Sequence, residues 1–235
     1  MQAEARKLSM LQVLACGAAI VTLSMGIRHG FGLWLQPITQ DMGWTRQSFA
    51  LALAVQNLSW GVMGIFAGMV ADRFGAFRVL LGGAALYALG LAGMALAPTT
   101  LLFALTAGVL IGTAQAGTTY AVIYGVLGRQ IAPERRSWAM GVVAAAGSFG
   151  QFLMVPLEGF LITRLGWQDA LLALALLVVL VVPLAWGLRA PCLLAKGSAT
   201  LQPQQTVRQA LAEALRYRRD PSTGVLTAAE VVTNI

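Results

Sequence analysis

Long stretches without a charged residue are the feature that most restricts the folds open to this sequence. Residues 8–27, between Lys7 and Arg28, form one uncharged window of 20 residues, and similar windows follow along the chain. About 20 apolar residues are enough for an α-helix to cross the hydrocarbon core of a bilayer. The pattern therefore predicts an all-α membrane protein.

Six transmembrane helices follow from these windows. The window 79–128 has 50 residues, too many for one helix, and Pro98 divides it into two because proline ends a helix. The other windows, one helix each, are 8–27, 47–71, 137–157 and 170–188. We predict a six-helix bundle over residues 1–190. Residues 191–235 are predicted to be a cytoplasmic linker or tail that ends before a seventh helix.

The distribution of basic residues predicts the orientation and argues against nucleic acid as a partner. The net charge is +7, but most Arg and Lys residues lie between apolar segments or in the tail. If the N-terminus is cytoplasmic, 13 basic residues lie on the inner side and three, Arg28, Arg46 and Arg164, on the outer side. The positive-inside rule then places both termini in the cytoplasm of an inner or plasma membrane. The expected macromolecular surroundings are the lipid bilayer and its anionic headgroups.

An internal repeat divides the six helices into two groups of three. A shift of 91 residues superposes Gly68 on Gly159, Arg73 on Arg164, and Gly75 on Gly166. Because a three-helix unit crosses the membrane an odd number of times, the second unit is inserted upside down. Inverted repeats of this kind are typical of secondary transporters. The sequence thus predicts a 3+3 inverted repeat.

The turn between the second and third helices carries a compact polar motif that we interpret as an inner gate. Its residues are Gly68, Asp72, Arg73, Gly75 and Arg78. Gly75 can adopt a positive φ without steric cost. Gly68 would let a neighbouring helix approach closely, and the Asp72 carboxylate can accept a charge-assisted hydrogen bond from a cation on the same face. The alternative is a polar turn that only ends two helices.

This motif resembles the signature loop of the major facilitator superfamily. Other segments resemble its monocarboxylate and oxalate–formate carrier-like branch, namely Arg28–Gly32 with Pro37, Gly43–Arg46, Arg135 with Arg136, Gly147–Gly150, Pro156, and Gly166 with Trp167. The resemblance covers residues 8–190. It implies the amino-terminal half of a twelve-helix transporter, in which substrate binds between two bundles that expose it alternately to each side.

Polar residues inside the predicted helices are candidates for the substrate pathway. Arg28 and His29 lie near the outer third of the first helix, where a cation would suit an anionic substrate. The alternative for Arg28 is that its side chain extends to the membrane surface. In the fourth helix the candidates are Gln115, Thr119, Tyr120 and Tyr124, with hydrogen bonding between helices as the alternative.

The fifth helix contributes a packing motif and one acidic residue. Gly147, Gly150 and Pro156 predict close helix contact and a hinge or bend. Arg28 and Glu158 both lie about 20 residues from the inner ends of their helices. We therefore expect them to form an ion pair, which would lessen the cost of placing either charge in the membrane.

These observations favour a secondary active transporter for a small organic anion, such as a monocarboxylate, with proton coupling as a further expectation. One alternative is a non-transporting fragment that needs a carboxyl-terminal half, and another is an assembly with a second copy. We expect neither an enzyme nor a cofactor, because the intramembrane residues show no nucleophile–base spacing. With one histidine and two distant cysteines, Cys16 and Cys192, we expect no metal site and no disulfide.

Overall fold

The computed structural model describes residues 10–188, and α-helices account for nearly all of that range. The six main helices are α1 (Met10–His29), α2 (Arg46–Phe74), α3 (Ala76–Ala95), α4 (Thr100–Gln130), α5 (Pro133–Leu165) and α6 (Trp167–Gly187). Each is long and apolar enough to cross a membrane, which confirms the predicted all-α membrane fold. The predicted linker 191–235, including Cys192, lies outside the described residues.

Three of the helices contain irregular segments. After α1, the chain turns at Gly30 and continues in a shorter helix, Phe31–Met42, which we call the extension helix. In α4 the consecutive segments are Thr100–Phe103, a π-helical stretch Ala104–Leu110, then Ile111–Thr118 and Tyr120–Gln130. In α6 the two segments are Trp167–Val178 and Val181–Gly187.

Local sequence explains where two of these helices begin. Thr45 precedes α2, and its hydroxyl accepts a hydrogen bond from the Ser48 amide at 3.2 Å. Thr99 precedes α4 and accepts from the Leu102 amide at 3.3 Å in the same way. Such N-caps satisfy amide groups that have no partner within the helix. The turn at Thr99 is also where the sequence divides the window 79–128.

Small residues allow the helices to approach closely. The longest contact joins α1 to α5, where Gly150 lies against the backbone of Thr22. Helix α4 packs on both α2 and α3, with Gly112 against the backbone of Gln56 and Gly83 against Thr118. Contacts through small residues are the usual means by which helices associate in a membrane.

Large apolar side chains remain exposed on the outer faces of α2 and α5. Examples are Leu58, Ile65, Phe66, Phe149 and Phe152, which are at least half exposed. In water such a surface would be unfavourable, whereas lipid chains or another membrane helix can cover it. The described bundle is therefore a membrane-embedded unit with an apolar exterior.

The turn from α2 to α3 and the turn from α5 to α6 have the same backbone geometry. Gly75 has φ 91° and ψ 144°, and Gly166 has φ 83° and ψ 167°. In each turn the glycine amide donates to the carbonyl four residues earlier, at 3.0 Å, from Ala71 and Ile162 respectively. The two turns match at the 91-residue offset on which the predicted 3+3 inverted repeat rests.

Candidate functional site

Most polar side chains buried in the bundle are satisfied by nearby backbone. Thr118 and Thr119 donate to carbonyl groups four residues earlier, and Gln56 of α2 donates to the Ala107 carbonyl of α4 at 2.9 Å. These bonds meet the requirement that polar groups away from water be paired. Other buried polar atoms have no such partner.

The unpaired buried atoms belong to one group of residues. Among residues 10–188, the buried side-chain nitrogen and oxygen atoms without a protein hydrogen-bond partner are Ser24 Oγ, Arg28 Nε, Gln115 Oε1 and Nε2, and Glu158 Oε1. Each of these four residues either forms a hydrogen bond with Tyr87 of α3 or lies within its electrostatic range. Tyr87 is fully buried. We call Ser24, Arg28, Tyr87, Gln115 and Glu158 the Tyr87 cluster.

Tyr87 connects the cluster across four helices. Its hydroxyl donates to the Ser24 carbonyl of α1 at 3.2 Å and lies beside the Gln115 amide of α4. It also lies within electrostatic range of Arg28 and Glu158. Incompletely paired polar groups inside an apolar bundle are costly to maintain. The cluster is therefore the strongest candidate for a functional site in the described chain.

Two neighbouring residues, Trp34 and Gly30, define the position of the Glu158 carboxyl group. The side chain has no solvent exposure, and its Oε2 accepts a hydrogen bond from Trp34 Nε1 at 2.9 Å. Gly30, at the turn between α1 and the extension helix, lies against the carboxyl group so closely that a Cβ there would overlap it. The absence of a side chain at Gly30 thus makes room for the Glu158 carboxyl.

Arg28 points away from Glu158, so the predicted ion pair is wrong. The Arg28 guanidinium donates to Asn57 Oδ1 at 2.6 Å and lies 4.4 Å from the centre of the Trp60 ring. Within residues 10–188 no basic group lies within 4.0 Å of the Glu158 carboxyl oxygens. Helices α1 and α5 are neighbours as expected. However, Arg28 faces α2, whereas α5 brings Glu158 to the Gly30 turn.

The predicted pathway residues do not share a single surface. His29 is exposed, and its Nδ1 lies 3.0 Å from the Met25 carbonyl. Gln115 and Thr119 are buried inside the bundle. Tyr120 and Tyr124 are partly buried, their ring centres are 5.5 Å apart, and the Tyr124 hydroxyl donates to the carbonyl of Met140 in α5 at 3.4 Å.

One residue of the predicted inner-gate motif, Asp72, forms an ion pair with a residue outside the motif. Asp72 at the end of α2 accepts a hydrogen bond from Arg129 at the end of α4, at 3.0 Å. Arg73 lies over the Phe74 ring at 5.3 Å, and Arg78 is exposed. Both members of the ion pair are exposed as well, so solvent weakens their attraction.

The expected close contact at Gly68 is not made within the described chain. A Cβ built on Gly68 would meet no atom within 4 Å. The reason is that Gly68 lies on the open side of α2, away from the helices it packs against. The expectation for Gly75 is confirmed, since its φ of 91° is one that side-chain-bearing residues rarely adopt.

The glycines of α5 make the close contacts predicted for them. Gly147 lies against the Tyr120 hydroxyl and Gly150 against the Thr22 backbone of α1. Pro156 is exposed, and α5 continues as one helix from Pro133 to Leu165. Both glycines thus lie at close contacts between helices, and their role in a hinge stays a prediction.

Two tryptophans connect helices at the far end of the bundle, and neither was predicted from the sequence to be a site residue. Trp34 reaches Glu158, and Trp167 at the start of α6 donates to Asp41 Oδ2 in the extension helix at 2.8 Å. Tyr87 was also missed, because it lies in an apolar segment with no polar neighbour in sequence. Glu158 carried a usable signal, since a lone acid in a membrane helix is a functional candidate.

A bundle of six membrane helices built from two inverted three-helix units, with an unpaired polar cluster inside, is the architecture of half a secondary transporter. Comparison with known sequences agrees with this class. The chain belongs to the Major Facilitator Superfamily, which it matches over residues 14–229.

Two relatives illustrate the range of proteins that this chain resembles. It is 32% identical to monocarboxylate transporter 11 of Mus musculus over 214 residues, which are 88% of this chain and 45% of the relative. It is 26% identical to the multidrug resistance protein MdtL of Escherichia coli over 176 residues, which are 75% of this chain and 44% of that relative. The chain thus spans less than half the length of these curated relatives.

Proposed function

We propose that this chain supplies the amino-terminal half of a secondary active transporter that moves a small organic anion, such as a monocarboxylate, together with a proton. The observation that carries the proposal is Arg28, a half-buried cation in the last turn of a membrane helix. Such residues are rare in membrane helices and usually mark the path of a substrate or ion.

Arg28 has donor groups to offer an anion. One of its terminal nitrogens donates to Asn57, while Nε–H has no hydrogen-bond partner within the protein. A guanidinium presents five N–H groups in a fixed plane and can bind a carboxylate through two parallel hydrogen bonds. The Trp60 ring beside it supplies an apolar surface for the rest of a small organic acid.

We further propose that both termini are cytoplasmic and that the Asp72–Arg129 ion pair stabilises one of the alternating conformations. The excess of basic residues on the proposed inner side supports this orientation. The pair joins the ends of α2 and α4, where it can restrict the separation of these helices without blocking the membrane interior.

The experiment measures counterflow of radiolabelled lactate in liposomes that contain this chain co-expressed with a matching carboxyl-terminal half. We expect saturable uptake that Arg28→Ala abolishes and for which Arg28→Lys raises the KM, because lysine keeps the charge but lacks the planar donor pair. Arg46→Ala is the matched control, since Arg46 is exposed at the start of α2. If the wild type shows counterflow and the Arg28→Ala variant shows the same counterflow, the proposed role of Arg28 is disproved.

The similarity to a multidrug resistance protein favours a second candidate, drug export, for which the dye ethidium serves as the probe. The same liposomes, loaded with ethidium, distinguish the two functions. Ethidium transport without lactate counterflow would replace the anion proposal by this one. Failure of both substrates with the co-expressed halves would favour a non-transporting fragment.

A further inference from the structure

We propose that Glu158 is a proton-binding site: in the conformation described here its side chain is a neutral carboxylic acid, and it releases and rebinds one proton during transport. This inference rests on the proposed transport function for its biological role. Its chemical content, the protonation of one carboxyl group, can be tested on the chain itself.

The hydrogen bonding of Glu158 suits the neutral acid better than the carboxylate. An ionised carboxylate offers about four lone-pair sites for donors, but Glu158 receives one bond, from Trp34 Nε1, and its Oε1 has no protein partner. The side chain is fully buried in an apolar bundle. Burying a charge with so little compensation is far more costly than burying the protonated group.

The charged and titratable groups around Glu158 do not compensate a negative charge either. On α1, Arg28 is engaged by Asn57 and His29 is exposed. Tyr87 of α3 lies within electrostatic range but carries no positive charge. The neighbouring extension helix and α6 carry Asp41 and Asp169, and the far end of α5 carries Arg164. All three of these side chains are exposed.

The position of the carboxyl group is built by the fold. Gly30 interrupts α1 where the carboxyl enters, and the indole of Trp34, itself fully buried, fixes one carboxyl oxygen. The other oxygen belongs to the Tyr87 cluster, whose members Ser24 and Gln115 also carry unpaired polar atoms.

The location of Glu158 indicates how proton binding there and anion binding at Arg28 should affect each other. Tyr87 lies within electrostatic range of both Arg28 and Glu158, so the two side chains border the same buried tyrosine. A carboxylate at Glu158 would add negative charge to the part of the bundle where the proposed anion binds, whereas the neutral acid would not. We therefore expect proton binding at Glu158 and anion binding at Arg28 to favour each other. The step is a simple proton transfer, in which Glu158–COOH becomes Glu158–COO⁻ and one proton leaves the site.

Infrared spectroscopy of the 235-residue chain in lipid membranes tests the protonation directly. At neutral pH we expect a carbonyl stretching band of a protonated carboxyl group that Glu158→Gln removes. Glu134→Gln is the matched control, because Glu134 is an exposed acid in the first turn of the same helix, and it should leave the band unchanged. Identical spectra for the wild type and Glu158→Gln in this region would overturn the proposal.

A second variant covers the case in which Glu158→Gln does not fold. Trp34→Phe keeps the carboxyl group but removes the N–H bond to Oε2, so the band should remain and change frequency. An absent or unmoved band in this variant would also contradict the proposal. If the band is present but the co-expressed halves transport nothing, the proton site stands and the proposed function fails.

Discussion

Gly75 and Gly166, 91 residues apart, have nearly the same backbone conformation and make the same hydrogen bond to the residue four positions earlier. They occupy corresponding turns of the two three-helix units. Each is followed directly by the first residue of the next helix, so each turn reverses the chain in a single residue. The reversal depends on a backbone region that is almost restricted to glycine.

Replacing either glycine by alanine should therefore destabilise the bundle to a similar extent. We expect Gly75→Ala and Gly166→Ala each to cost about 1–3 kcal/mol, the usual cost of a strained backbone position. Thermal unfolding of the purified chain in detergent, followed by tryptophan fluorescence, measures this. Gly82→Ala in α3 is the control, since a Cβ there meets no atom within 4 Å, and it should be neutral or stabilising. An equal effect at Gly82 would refute the argument.

The contact between α1 and α5 gives a second prediction. Gly150 lies against the Thr22 backbone, which cannot rotate away as a side chain can. We expect Gly150→Ala to lower the free energy of unfolding by about 1–3 kcal/mol, as overpacking does. Gly141→Ala on the same helix, where a Cβ meets no atom within 4 Å, is the matched control. If both substitutions lower the unfolding temperature equally, close packing at Gly150 is not the cause.

The number and approximate bounds of the helices could be predicted because a charge inside lipid is so costly that uncharged windows mark the spans. The irregularities within the spans could not be predicted. Glycine at position 30 interrupts a helix, whereas Gly26 one turn earlier does not, although both lie in the same apolar segment. Both glycines lie against α5, Gly26 at Met154 and Gly30 at Glu158, so the sequence offers no local signal that separates them.

The candidate site could be predicted only in part, for a related reason. Distance from the helix ends placed Arg28 and Glu158 at similar depth, but depth does not determine which neighbour a side chain faces. A helix turns 100° per residue, so small changes in helix rotation separate side chains at equal depth. Arg28 faces Asn57 as a result. Tyr87 joins the cluster from a helix whose sequence has no other polar side chain nearby.

The Asp72–Arg129 ion pair provides a third prediction. Its members are exposed and 3.0 Å apart, so we expect a coupling energy of only about 0.2–1 kcal/mol. A double-mutant cycle of thermal unfolding with Asp72→Asn and Arg129→Gln measures it. The coupling should shrink at high salt, because salt screens exposed charges. A coupling that is large and insensitive to salt would show that the pair is buried in the membrane-bound protein.

The proposed orientation predicts from which side an impermeant thiol reagent can reach positions near the helix ends. After Cys16 and Cys192 are replaced by serine, a cysteine at Ser137 should react only from the cytoplasmic side. A cysteine at Thr99 should react only from outside. Labelling of right-side-out and inside-out vesicles with a charged maleimide distinguishes the two surfaces, and the opposite pattern would reverse the topology.

The last prediction is that residues 1–235 alone do not transport. Carriers with this architecture move one helical bundle against another around a site at their interface, and the chain spans less than half the length of its relatives. Liposomes with the purified chain should therefore take up no lactate, and co-expression with a matching carboxyl-terminal half should restore uptake. We expect the exposed apolar faces of α2 and α5 to be available for contact with that second bundle. Saturable uptake by the purified chain alone would contradict this prediction and indicate a carrier formed by two copies.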